Sequence, residues 1–121
     1  MAWYKASIDK DVLYNVMYIN YSYWNEISNN TRLPINARLN IHNDVRVFGV
    51  SNQSFIDISL AIKRGESFPR LIFVSMNKNS RIVVLEGHAR LTGYFLALEY
   101  LPKKLEVIIG YSEGFKNWDL Y

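Results

Sequence analysis

One stretch constrains the fold more than any other. In "RIVVLEGHARLTGYFLAL", residues 81–98, an apolar run stops at Glu86 and Gly87, then resumes with a different period. The first half reads as a short buried strand. In the second, Leu91, Tyr94, Phe95, Leu98 and Leu101 recur at steps of three and four and predict a helix that Pro102 stops. A strand that runs into a helix through a tight turn must pack that helix back against its own sheet, so the chain belongs to the mixed α/β class.

The flanking sequence extends that reading. "RLIFVS" and "RIVVLE" are apolar runs joined by the polar turn "MNKNS", and they predict neighbouring antiparallel strands. "KLEVIIG" predicts a last buried strand. Before them, Ser51 or Asn52 can cap a helix carrying Phe55, Ile58 and Ile62 on one face. Lys63 and Arg64 suit its negative end, and Gly65 can take the left-handed cap. "VRVFGV", residues 45–50, alternates like a strand.

Nearer the start, Asp9 can cap a helix running through about Asn29. Val12, Val16, Ile19, Tyr23 and Ile27 form its stripe, widened by Leu13, Met17 and Trp24. "SNNTRLP" breaks it, and "INARLNIHND" predicts a short helix. The expected architecture is one α/β (α+β) domain over residues 1–121, a compact, small mixed sheet with flanking helices. Residues 1–45 are expected to be mainly helical, and residues 46–121 to form the core.

Composition narrows the function classes. Half of the 121 residues are hydrophobic, enough for a core without staples, and cysteine is absent. That removes disulfides, thiolate catalysis and cysteine-bound zinc. No signal peptide and no membrane-length apolar run is evident, so a soluble cytoplasmic domain without membrane contact is the expectation. The net charge of +3 is spread thinly, with "IKR" and "PKK" the densest groups, which gives only slight support for a nucleic-acid partner. Five of the nine tyrosines fall in the first 23 residues, with Trp3 and Trp24. Their helical spacing favours a core role. The alternative is a surface for a partner or a homodimer, with Trp3, Tyr14, Tyr18 and Trp24 exposed in one patch.

The turn "EGHAR" has the chemistry of a phosphate site. A helix starting near His88 leaves backbone N–H groups unpaired and adds roughly half a positive charge there. Gly87 opens that backbone to a ligand. Arg90 is mildly unfavourable for the helix in its first turn, and a bound anion would offset this by accepting two hydrogen bonds from it. His88 can donate or titrate. Glu86 is placed to hold Mg²⁺ or accept a proton. Gly93, within the same helix, implies close packing against a neighbour. A plain polar turn, with His88 capping and Arg90 solvated, accounts for the same residues.

Residues from about 53 to 110 resemble the ParB/sulfiredoxin-like superfamily. The pieces that carry the resemblance are "AIKRGESFPRLIFVS", "RIVVLEGHARLTGYFLAL" and "LEVIIG". The turn is closest to the "DGHHR" style of ParB-like domains and free serine kinases, with Glu86 for the aspartate and Ala89 for the second histidine. The resemblance implies that Gly87, His88, Arg90 and Thr92 bind nucleotide phosphates with the helix amides. It also implies that Gly65 and Glu66 lie near the nucleotide ahead of Pro69. The cofactor implied is ATP or ADP, or CTP, with Mg²⁺ held by Glu86.

The sequence also departs from the pattern. His88 stands where sulfiredoxins carry their reactive cysteine, which excludes sulfinic acid reduction, and the Glu-Arg-Arg turn of chromosome-partitioning ParB proteins is missing. The leading expectation is a phosphotransferase acting on a small hydroxyl-bearing substrate, with Glu86 and His88 catalytic and Asp44 or Glu66 as a second acid. The alternative is a non-catalytic nucleotide-binding or protein/DNA-interaction module. His42, beside Asp44, reads as a surface residue. Two histidines so far apart make no metal site.

Overall fold

Alternation along the last apolar run places it inside a sheet. β4 (Lys104–Tyr111) buries Val107 and Ile109 on one face and pairs on both edges. The computed structural model describes residues 1–121, with a four-stranded mixed sheet in the order β1-β4-β2-β3. β1 (Ala2–Asp9) runs antiparallel to β4, and β2 (Ile72–Ser75) runs parallel to it. β3 (Ile82–Glu86) is antiparallel to β2 on the far side, with a register shift between Ile72 and Phe73. Parallel neighbours need a crossover, and here it consists of β3 and the helix α5 (His88–Phe95).

The β2–β3 pair, β4 and the helix α4 (Gln53–Lys63) agree with the sequence reading. Ser51 Oγ accepts from the Gln53 N–H at 3.1 Å at the start of α4, while Asn52 turns back to donate to the Val45 carbonyl. Gly65 takes φ +85° just past the end of α4. α5 packs on α4 so closely that a Cβ on Gly93 would overlap the Ile58 side chain, the neighbour that its glycine implied. α5 is shorter than expected. Its last turn tightens through bonds from Leu96 to Gly93 and from Ala97 to Tyr94, and Leu98–Tyr100 forms a separate 3₁₀ turn.

Three expectations fail. Residues 9–29 are not one helix. Asp9 does cap, accepting from the Val12 N–H at 2.9 Å, but α1 (Lys10–Tyr14) is five residues long. The chain then runs to β3, where the Met17 N–H donates to Ile82 O and Met17 O accepts from the Val84 N–H, both at 2.9 Å. α2 (Ser22–Ile27) follows, and α3 (Arg38–His42) comes after a 3₁₀ turn. Tyr, Asn, Ser, Val and Ile are mediocre helix formers, and two bonds to an open sheet edge outweigh their weak preference.

The segment "VRVFGV" is no strand either. It folds as a 3₁₀ turn at Val47–Gly49, with Phe48 at φ +52° and Gly49 at φ +74°. Finally, the core is not confined to residues 46–121. β1 belongs to the sheet, and Leu13, Val16, Tyr18, Ile27, Ala37 and Ile41 share one cluster of 20 buried residues with Phe73, Val84 and Phe95. No helix is long and apolar enough to cross a membrane.

Candidate phosphate-binding turn

The turn between β3 and α5 depends on one backbone geometry. Gly87 sits at φ +104°, in the left-handed region that side chains resist, and its carbonyl accepts the Leu91 N–H at 2.8 Å to start the helix. A Cβ there would meet the Leu71 side chain and lie 3.1 Å from Arg90 Nη2. The first N–H groups of α5 have no partner within the helix.

Arg90 folds back over Gly87. Its Nη1 donates to the Pro69 carbonyl at 2.7 Å, and its Nη2 lies 3.6 Å from Glu86 Oε1. The Arg90 side chain is 17 % exposed and that of Glu86 68 %. One cation is therefore anchored on a backbone oxygen, while its ion pair is loose and wet. Such an exposed pair contributes at most about 1 kcal/mol.

Gly65, Glu66, Ser67 and Phe68 line a cleft of about 280 Å³ together with Tyr94 and Tyr100. Glu66 pairs with Arg64 at 2.7 Å on the surface. The cleft is lined by Tyr94, one helical turn beyond Arg90, and by Phe68, which precedes the proline whose carbonyl holds Arg90. Burial raises the Tyr94 pKa, and the charge of Arg90 acts in the opposite direction.

His88 and Thr92 lie elsewhere. The His88 ring stacks on Trp24 at 5.1 Å and faces Tyr18 at 6.3 Å, and its Nε2 is buried without a partner. Burial pushes its pKa down to about 4, so the imidazole is neutral at neutral pH. Thr92 is 1 % exposed; its hydroxyl donates to the His88 carbonyl at 2.8 Å and meets the Tyr18 hydroxyl at 2.7 Å. The side chains expected to donate to phosphate at residues 88 and 92 therefore point into the protein, because a helix starting at His88 carries them on its inner side.

The proposed second acid does not converge on the turn. Asp44 pairs with Arg46 at 3.2 Å and Glu66 with Arg64, and no group of three or more His, Asp or Glu side chains comes together. Glu86 alone, beside a guanidinium, does not make a Mg²⁺ site. His42 is exposed on α3 beside Arg38 and Leu39, apart from the turn.

The aromatic residues divide likewise. Tyr18 is fully buried and stacked on Trp24 at 4.6 Å, Tyr14 meets Phe95 edge-on, and Trp3 lies across Gly110 on the sheet, so they form no single patch. Sequence reasoning missed the Pro69 carbonyl and Leu71 as parts of the turn. Gly65, Glu66 and the proline in "GESFPRL" pointed toward that segment, but not to the role of these two groups. Comparison with family models, with curated proteins and with solved structures found no match for this chain.

Proposed function

We propose that the chain is a ParB/sulfiredoxin-like domain that binds a nucleotide or another phosphate compound at the start of α5. The observation that carries this reading is Arg90, a guanidinium anchored on the Pro69 carbonyl and poised over the left-handed Gly87. That contact joins the two segments expected to meet a nucleotide, Gly65–Pro69 and Gly87–Arg90. A phosphate arriving at the turn takes two hydrogen bonds from Arg90 and others from the helix amides. Its charge displaces Glu86, whose exposed pair costs little to open. The nucleoside lies along Gly65–Phe68, against the aromatic wall of the cleft.

Binding is favoured over phosphoryl transfer. With His88 neutral and stacked on Trp24, Glu86 is the one acid at the turn, and a single exposed carboxylate has nothing to position an acceptor hydroxyl. Calorimetric titration with ATP, ADP, CTP and inorganic phosphate tests the reading. Saturable binding is expected, and Arg90→Ala should weaken it about tenfold or more while Arg90→Lys retains part of it. If none of the four binds the native protein at millimolar concentration, the proposal fails.

A further inference from the structure

The two edges of the sheet are treated differently. β3 is closed by Met17, whose N–H and C=O are both bonded to it. β1 has no such cover. It runs through eight residues with unbroken pairing to β4, without proline, glycine or bulge. Natural edges of this length are normally blunted by proline, bulges, charged side chains or a covering segment, and of these β1 carries only charge, at Lys5 and Asp9.

Bond polarity shows which groups are open. On β4 the Ile108 N–H donates to Leu71 O at 3.0 Å, and the Ser112 N–H donates to Ser75 O at 3.1 Å. Even-numbered residues of β4 therefore address β2, and odd-numbered ones address β1. By register, Leu105, Val107, Ile109 and Tyr111 face Ile8, Ala6, Tyr4 and Ala2. The N–H and C=O groups of Trp3, Lys5 and Ser7 consequently point away from the sheet. Trp3 and Tyr4 stand beside them, 47 % and 53 % exposed.

From this edge we infer that β1 pairs with β1 of a second copy, antiparallel about a two-fold axis at Ala6, giving a continuous eight-stranded sheet. Charge selects the occupant. Lys5 and Asp9 are the charged residues of β1, and alternation puts both on one face. An antiparallel copy sets Lys5 of one chain against the Asp9 end of the other. The outward groups sit on odd-numbered residues, so opposed residue numbers must sum to an even value. A sum of 10 stacks Lys5 on its own copy, which is unfavourable. A sum of 14 overlaps only from Lys5 onward, because Lys10 begins α1. A sum of 12 uses Trp3 through Asp9. It sets Tyr4 against Ile8 of the copy, Lys5 against Ser7 and diagonal to Asp9, and Ala6 against itself with no bulk at the centre.

Sedimentation equilibrium of the full chain should show twice the mass of one chain. Ser7→Pro removes an outward N–H and no bond to β4, so it should give a monomer with an unchanged near-ultraviolet spectrum. Lys5 is exposed and also lies beside Glu106, so Lys5→Glu is read through dimer dissociation, which should become about fivefold easier. The chain has no cysteine, so Ala6→Cys introduces a single thiol, and mild oxidation should cross-link native dimers through it but not denatured chains. A single-chain mass at the highest soluble concentration would overturn the inference; the edge is then left for another protein's strand. A dimer that forms no Ala6→Cys cross-link and whose dissociation Lys5→Glu leaves unchanged would overturn it equally.

Discussion

The two sides of the α5 N-terminus are built from alternate residues of one short motif and live in different solvents. Glu86 and Arg90 form the wet side, with a loose ion pair and a backbone anchor at Pro69. His88 and Thr92 form the dry side, in a stack with Trp24 and Tyr18 that leaves one ring nitrogen without a partner. A helix turns about 100° per residue, so the side chains of His88 and Arg90, two apart, leave α5 on opposite sides. A stretch of seven residues, Glu86 to Thr92, thus divides its work between recognition and packing.

Trp24→Ala should separate the two sides most sharply. The indole stacks with Tyr18 and His88 and meets Tyr23 and Phe55, so its loss should cost about 3–5 kcal/mol in urea unfolding. Phosphate affinity of the remaining folded protein should change little. A proportionate loss of affinity at a concentration where the variant is fully folded would show that the sides are not independent.

Acid should act next, and also through the dry side. The folded His88 pKa of about 4 lies below its ordinary value of 6.5, so the folded state binds fewer protons between them. Its contribution is complete above pH 6.5 and is lost as pH falls toward 4, on the order of 3 kcal/mol. His88→Phe keeps the stack and removes the proton, so the slope of stability between pH 6.5 and 4 should flatten. An unchanged slope would place the acid sensitivity in other groups.

The smallest effect belongs to the wet side. Glu86→Gln removes an exposed carboxylate at 3.6 Å from Arg90 and should move stability by less than about 0.5 kcal/mol. It should also raise phosphate affinity a few-fold, since no charge then competes for the guanidinium. Weaker binding would mean that Glu86 helps to hold the ligand.

What the sequence made legible follows the range of the forces involved. "RLIFVS", "RIVVLE" and "KLEVIIG" are bounded by turn formers, and the end of α4 is marked by Lys63, Arg64 and Gly65. These signals act within a few residues. Gly87 was readable as an opening for the same reason, since its positive φ follows from the turn. The direction of His88 was not readable, because it is set by Trp24, which is 64 positions earlier in the chain. Neither was β1. "AWYKASID" alternates, yet its apolar face has meaning only beside Val107 and Ile109, about a hundred residues later in the chain but adjacent in the sheet. The break in the expected first helix has its cause at Ile82 and Val84, bonded to Met17.

The pairing of β1 with β4 also fixes an order of events. Of the four strands β1 leaves the ribosome first and β4 last, so Trp3 and Tyr4 wait for Gly110 and Ile109 until the other strands have been made. Closing so long a loop is slow, and contacts of high sequence separation lower folding rates. The β2–β3 hairpin and the α4–α5 pair can form before that closure, leaving the first strand as the last piece to dock.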